Sequence, residues 1–160
     1  MTNQHQIIIV GGGNAGISVA ARLLRKNKQL DIAIIEPSGK HYYQPAWTLV
    51  GGGTFNINDT IRSEASVIPA KAKWIKDAVI SFQPAQNTVT TKQGDVYKYE
   101  YLVVAPGIQL DWEKVKGLKE TLGKNCVTSN YSVEYAPYTF DCIKAMKPGM
   151  TAVFTSPSTP

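Results

Sequence analysis

Cysteine is scarce in this sequence, with only Cys126 and Cys142 among 160 residues. Two are too few for a scaffold built on disulfides, so a buried core has to hold the fold. Long apolar runs are also missing. The longest, Ile7–Val10 and Ile32–Ile35, fall far short of the ~18–20 residues that cross a bilayer. The N-terminal Met1–Gln6 has no basic stretch ahead of an apolar one, so no leader peptide is expected. Charged residues make up only 18% of the chain, against 43% hydrophobic ones, which excludes a disordered tail, a collagen and a coiled coil. The net charge of +5 comes from Arg22–Lys28, Lys71–Lys76 and Lys114–Lys124. These read as solvated faces, with the first also suited to a helix C-terminus. No nucleic-acid module signature appears, and neither a nucleic-acid partner nor a metal site is expected.

What is present has a clear order. Gln6–Val10 is β-branched and continuous, as in a strand buried on both faces. The glycine-rich Gly11–Gly16 breaks it. Ile17, Ala20, Ala21 and Leu24 then fall on one helical face, up to the basic run near Asn27. Asp31–Glu36 is a second buried strand, closed by Pro37-Ser38-Gly39. This strand–helix–strand unit predicts a parallel pair with a right-handed crossover. His41–Pro69 shows no clear period, a length of irregular chain that is more often functional than filler. Lys73–Ile75 reads as a short third strand. Ala78–Glu100 alternates as an antiparallel meander, and Tyr101–Ala105 reads as a further buried strand. Ser132–Met146 is a helix pattern interrupted near Pro137, and Thr151–Thr155 suggests the start of a new strand.

Gly11-x-Gly13-x-x-Gly16 follows a strand and opens a helix, with Glu36 at the end of the next strand, 20 residues on. This is the context of a dinucleotide-binding fingerprint. Gly11 permits the tight turn, Gly13 leaves room for a pyrophosphate, and Gly16 lets the helix pack closely on the strand. The helix N-terminus supplies N–H groups and a positive dipole end. Glu36 would accept from a ribose diol and would repel a 2′-phosphate. A purely structural glycine turn is the alternative. NAD and FAD both place an ADP moiety here. Leu102–Gly107, LVVAPG, leans toward FAD, because flavoproteins with two dinucleotide-binding domains carry an apolar strand and Ala-Thr-Gly after such a meander. Pro106 stands where that motif has Thr.

The run Lys40–Gly51, KHYYQPAWTLVG, resembles that of sulfide:quinone oxidoreductases, in the branch that includes the mitochondrial enzyme. Tyr101–Trp112 and Ser129–Ser132 match the same branch. The resemblance implies a two-electron flavoenzyme in which sulfide attacks a disulfide between two redox cysteines, and electrons pass through FAD to a quinone. By similarity, Gly11, Gly13, Ala15, Gly16 and Glu36 hold the ADP part of FAD, with Asn14 and Pro37 counted among the cofactor-binding residues. Gln44 and Pro45 would lie near the flavin ring, Val79 near the adenine, and Ala105 and Gly107 on the pyrophosphate side. Bland readings stand beside these. Tyr42, Tyr43 and Trp47 could be core aromatics, Pro45 could only fix a turn, His41 reads as structural, and Asn14 as a helix cap. Cys126 and Cys142 match neither redox position of the family. They are expected to be free structural thiols, with the redox cysteines beyond Pro160 and no catalytic residue within the chain.

The expected fold is α/β: a Rossmann-like FAD-binding domain with a parallel sheet and a three-stranded antiparallel meander lying on top of it. It would form an incomplete part of a flavoprotein with two dinucleotide-binding domains. Residues 1–112 would be the N-terminal portion of the FAD domain, 113–150 a connecting segment with a helix, and 151–160 the truncated start of a second nucleotide-binding-type domain. The chain alone is then not expected to turn over. A homodimer could cover the exposed apolar surface. The expected location is cytoplasmic or peripheral at the inner face of a membrane, through a C-terminal part. Two other readings stay open: a type II NADH:quinone oxidoreductase or related reductase, and a non-catalytic nucleotide-binding module.

Overall fold

The computed structural model describes residues 3–155. These fall into two compact units, one comprising the chain up to Gln44 with Asn58–Asp111, the other Pro45–Ile57 with the chain from Trp112.

The first unit is built on a sheet. Strand β1 spans Gln4–Val10, and helix α1 spans Asn14–Lys26. Strands β2 (Ile32–Ile35), β3 (Lys40–Tyr42) and β4 (Ile61–Ser63) follow, then the short helix α3 (Glu64–Val67), helix α2 (Trp47–Gly51) lying in the other unit. Strands β5 (Lys73–Ile75), β6 (Val79–Gln83), β7 (Thr88–Thr91) and β8 (Val96–Val104) complete it. Six of the strands form one sheet in the order β5-β2-β1-β8-β7-β6, and β3 pairs with β4 separately.

β1 lies at the centre, parallel to β2 on one side and to β8 on the other. Its side chains alternate between two cores, as the pleat requires. Ile8 and Val10 join Ala33, Ile35 and Ile75 on one face. Ile7 and Ile9 join Ile32 and Ile34 on the other, where Ala20 and Leu24 of α1 cover them. Burying each such isoleucine contributes about 1.5–3 kcal/mol relative to leaving it in water. α1 ends where Arg25 and Lys26 meet its negative dipole end and the Asn27 N–H donates to Leu23 O.

The α/β class, the parallel sheet and the meander are as expected. Two details differ. The meander does not lie on top of the sheet; it extends it in the same plane. The cause is β8, which takes Val96–Glu100 and Tyr101–Val104 as one unbroken strand. Its early residues pair antiparallel with β7 through Thr88↔Lys98 and Thr90↔Val96, while the whole strand runs parallel to β1. The irregular segment after His41 also holds more order than its composition suggests, in β3, β4, α2 and α3.

In the second unit, α2 packs with α5 (Ala136–Lys144), and the short α4 (Leu118–Thr121) precedes it. Pro137 sits in the first turn of α5 and does not interrupt it, since a proline there removes no helical hydrogen bond. Thr128 and Thr139 hydroxyls meet at 2.8 Å, and the Cys126 N–H donates to the Tyr138 hydroxyl at 3.1 Å. Thr151–Thr155 forms no strand and is exposed; Ser156–Pro160 lies outside the described residues.

Candidate functional site

The glycines at the end of β1 are set by contacts. Gly11 has φ +101°, and any Cβ there would overlap the Ala105 carbonyl. A Cβ on Gly16 would overlap the Gly11 carbonyl and press on Ile9. Both positions therefore exclude a side chain. Gly13 is different: a Cβ there would meet nothing within 4 Å. The space in front of it is open, as a cradle for a diphosphate requires. The first helical bond runs from the Ile17 N–H to Gly13 O at 3.1 Å, so the N–H groups of Asn14, Ala15 and Gly16 lie ahead of it.

Glu36 stands at the end of β2 and closes the loop from behind. Its Oε2 accepts from the Gly12 N–H at 2.8 Å, and its Oε1 from the Ser38 N–H at 2.7 Å. Each oxygen keeps a lone pair for a further donor. The Trp74 indole N–H donates to the Glu36 carbonyl at 2.9 Å and fixes the strand end against β5.

The site holds a cluster that composition did not reveal. His41, on β3, is 9% exposed and lies directly behind the glycine loop. Its Nδ1 is 3.3 Å from Gly12 O, and its Nε2 is 3.0 Å from Asn14 Oδ1. Asn14 thus faces His41 and does not cap its helix, which has no side-chain cap. Glu64, the first residue of α3, is 1% exposed, with Oε2 at 3.5 Å from His41 Nδ1. Burial, and then the charge of Glu36, push its carboxyl up to about 7. The Glu64 Oε1 has no hydrogen-bond partner, and a Cβ on Gly12 would overlap it. Nothing in the sequence around Arg62-Ser63-Glu64 marks this acid, because only the β3–β4 pairing carries it to Gly12. That pairing sets His41 opposite Arg62.

The structure brings together Gly11, Gly13, Asn14, Ala15, Gly16, Glu36 and Ala105 at the ends of β1, β2 and β8. The Ala105 N–H donates to Val10 O at 2.8 Å. Gly107 follows on the same loop with φ +79°. Pro37 is exposed beside Glu36, Val79 packs on the core face that carries Ile8 and Ile35, and Gln44 ends the first unit's segment. Pro45 belongs to the second unit, as do Trp47, which is buried, and both thiols. Cys126 and Cys142 are free, and burial raises the Cys142 thiol, with the thiol of Cys126 beside it adding to the shift. Among the described residues no cluster of three or more His, Cys, Asp or Glu could hold a metal, and no helix is long and apolar enough to cross a membrane.

A parallel sheet with a glycine cradle and an acid at the next strand end is the pattern of a dinucleotide-binding fold. The chain belongs to the pyridine nucleotide-disulphide oxidoreductase family, whose profile matches residues 5–137. Within it, the chain is 54% identical over 160 residues to the mitochondrial sulfide:quinone oxidoreductase of Dictyostelium discoideum, covering 99% of this chain and 35% of that protein. It is 42% identical over 158 residues to the mouse mitochondrial enzyme of the same name, again 99% and 35%. The solved sulfide:quinone oxidoreductase of Aquifex aeolicus superposes with a TM-score of 0.72 at 28% identity, over 88% of this chain and 32% of that one. The expected resemblance to the mitochondrial branch is borne out. The chain spans about a third of the length of these relatives.

Proposed function

We propose that this chain is the part of a sulfide:quinone oxidoreductase-type flavoprotein that grips the ADP end of FAD. The relatives are FAD-binding flavoproteins. The observation that carries the reading is the contrast within the glycine loop: Gly11 and Gly16 are closed by backbone, while Gly13 is open beneath a helix N-terminus. When bound, FAD supplies two-electron redox chemistry. The chain's own residues hold it: Asn14, Ala15 and Gly13 face the diphosphate, and Glu36, with Pro37 beside it, takes the ribose diol. Val79 lies toward the adenine, Ala105 and Gly107 complete the pyrophosphate side, and Gln44 and Pro45 serve the flavin ring. In the longer protein, sulfide would be the electron donor and a membrane quinone the acceptor, with the redox cysteines outside this chain. Residues 151–160 would open the second nucleotide-binding-type domain, and a homodimer or the rest of the protein would cover the apolar faces. The location would be cytoplasmic or peripheral at the inner face of a membrane.

The test is visible absorbance of the purified full-length protein. Flavin bands that bleach with sulfide and recover with a quinone support the reading. Bleaching by NADH and not by sulfide would move the assignment to the NADH:quinone oxidoreductases, one of which, from Staphylococcus haemolyticus, is 29% identical over 74% of this chain. Absence of flavin in every preparation would leave a nucleotide-binding module.

A further inference from the structure

We propose that Cys126 and Cys142 form a dithiol site that small disulfides oxidise to an intramolecular disulfide, separate from the redox cysteines expected outside this chain. The site lies wholly within the second unit and stands apart from the FAD reading.

The turn that carries Cys126 presents it to solvent. Lys124 and Val127 pair across a two-residue loop, and the Val127 N–H donates to Lys124 O at 2.8 Å. Asn125 and Cys126 fill that loop at φ +51° and +61°. Asparagine tolerates this left-handed backbone, but the second place in such a loop ordinarily goes to glycine. A cysteine there bears backbone strain that glycine would relieve, and Cys126 is exposed.

Helix α5 supplies the partner. Tyr138 and Cys142 are four residues apart on it and share one face. The Tyr138 hydroxyl accepts from the Cys126 N–H at 3.1 Å and lies within hydrogen-bonding reach of the half-buried Cys142 thiol. The thiols of Cys126 and Cys142 are within the same reach of each other. The chain just after the turn is anchored to the helix as well: Thr128 Oγ1 donates to Tyr135 O at 2.9 Å and accepts from Thr139 Oγ1 at 2.8 Å. Two thiols in contact between anchored segments meet the first requirement of a disulfide, which is side chains directed at each other.

Exposure sets the order of attack, and the thiolate is the nucleophile in each step. Cys126, in the open turn, meets the small disulfide first. Its sulfur attacks, one small thiolate leaves, and a mixed disulfide forms. Cys142 is the poorer first attacker, because burial and then the neighbouring Cys126 thiol push its own thiol up. The Tyr138 hydroxyl acts the other way and favours the Cys142 thiolate. Cys142 then attacks the Cys126 sulfur and expels the second small thiolate. Two electrons pass from the pair to the small disulfide, and the two thiol protons end on the two small thiols. The new bond closes a loop across Val127–Asp141 and pins the turn to α5.

The experiment treats the purified full-length protein with oxidised glutathione, alkylates the remaining thiols and weighs the digest. Trypsin leaves Asn125–Lys144 as one peptide carrying both cysteines, and cleavage after Glu134 separates them. The wild type should give this peptide unalkylated and lighter by two hydrogens, with its halves joined until a reductant is added. Cys142→Ser should stop at the mixed disulfide on Cys126, and Cys126→Ser should react about tenfold more slowly than the wild type. Tyr138→Phe should close about threefold more slowly, since the thiolate lost outweighs the nucleophilicity gained. Both cysteines alkylated in the wild type, a mixed disulfide that persists there on Cys126, or a bond from either one to another cysteine overturns the proposal. Cys126→Ser reacting as fast as the wild type overturns the order of attack. The wild-type digest decides the pairing whether or not a variant folds.

Discussion

Two loops leave neighbouring parallel strands at the same end of the sheet, and they are built in opposite ways. The loop after β1, Gly11–Asn14, is fixed from behind, by the Ala105 carbonyl, by Glu36 and by the His41–Glu64 pair, and is open only in front of Gly13. The loop after β8, Ala105–Gly107, ends in the open. Gly107 has φ +79° but no atom within 4 Å of a Cβ, and Ile108 beyond it is 74% exposed. The first is specified by packing; the second is held at Ala105 and then rests on the Gly107 dihedral. A cradle for an anion needs the first kind of control, because N–H groups bind well only when their positions are set before the ligand arrives.

Four measurements sharpen or break this comparison. The largest effect should come from Gly11→Ala, where backbone overlap and a positive φ combine. Urea unfolding should show a loss of about 4 kcal/mol or more. Next comes Glu64. Its folded value of about 7 lies above its ordinary value of 4.5, so the stability it contributes is complete below about 4.5 and is lost as pH rises to about 7. Glu64→Gln should therefore be more stable than the wild type at about pH 8 and similar to it in acid. Equal stabilities at the higher pH would show that the acid is solvated. Glu36→Ala leaves the Gly12 and Ser38 N–H groups without their acceptor and should cost about 1–3 kcal/mol, together with the dinucleotide affinity. The smallest effect belongs to Gly107→Ala, about 1–2 kcal/mol of dihedral strain with no overlap. If Gly107→Ala proved as damaging as Gly11→Ala, the distinction between the loops would fail.

Much of the first loop is legible in the sequence because its signals are local. Strand, glycines, helix and acid lie within Gln6–Glu36, and each acts on near neighbours. The plane of the meander is not legible, since it depends on whether Glu100 and Tyr101 belong to one strand or two. Alternation before Tyr101 and a continuous apolar run after it look like different elements. They are one strand whose partners change from antiparallel β7 to parallel β1. Glu64 is illegible for a related reason. An acid after Arg62-Ser63 reads as surface, and only a short pairing between β3 and β4 turns it inward. His41 reads as structural until that acid is placed beside it.

The central position of β1 also has a consequence during synthesis. One edge of β1 is matched early by β2, with Ile8 beside Ala33. The other edge waits for β8, where Ile8 meets Leu102. At ribosomal rates of about 5–20 residues per second, that edge stays bare for on the order of ten seconds. A nascent chain carrying Ile7–Val10 in that interval is a template for mispairing, so the early helix α1, by covering one face of the strand, limits the exposed apolar surface to the other face until β8 emerges.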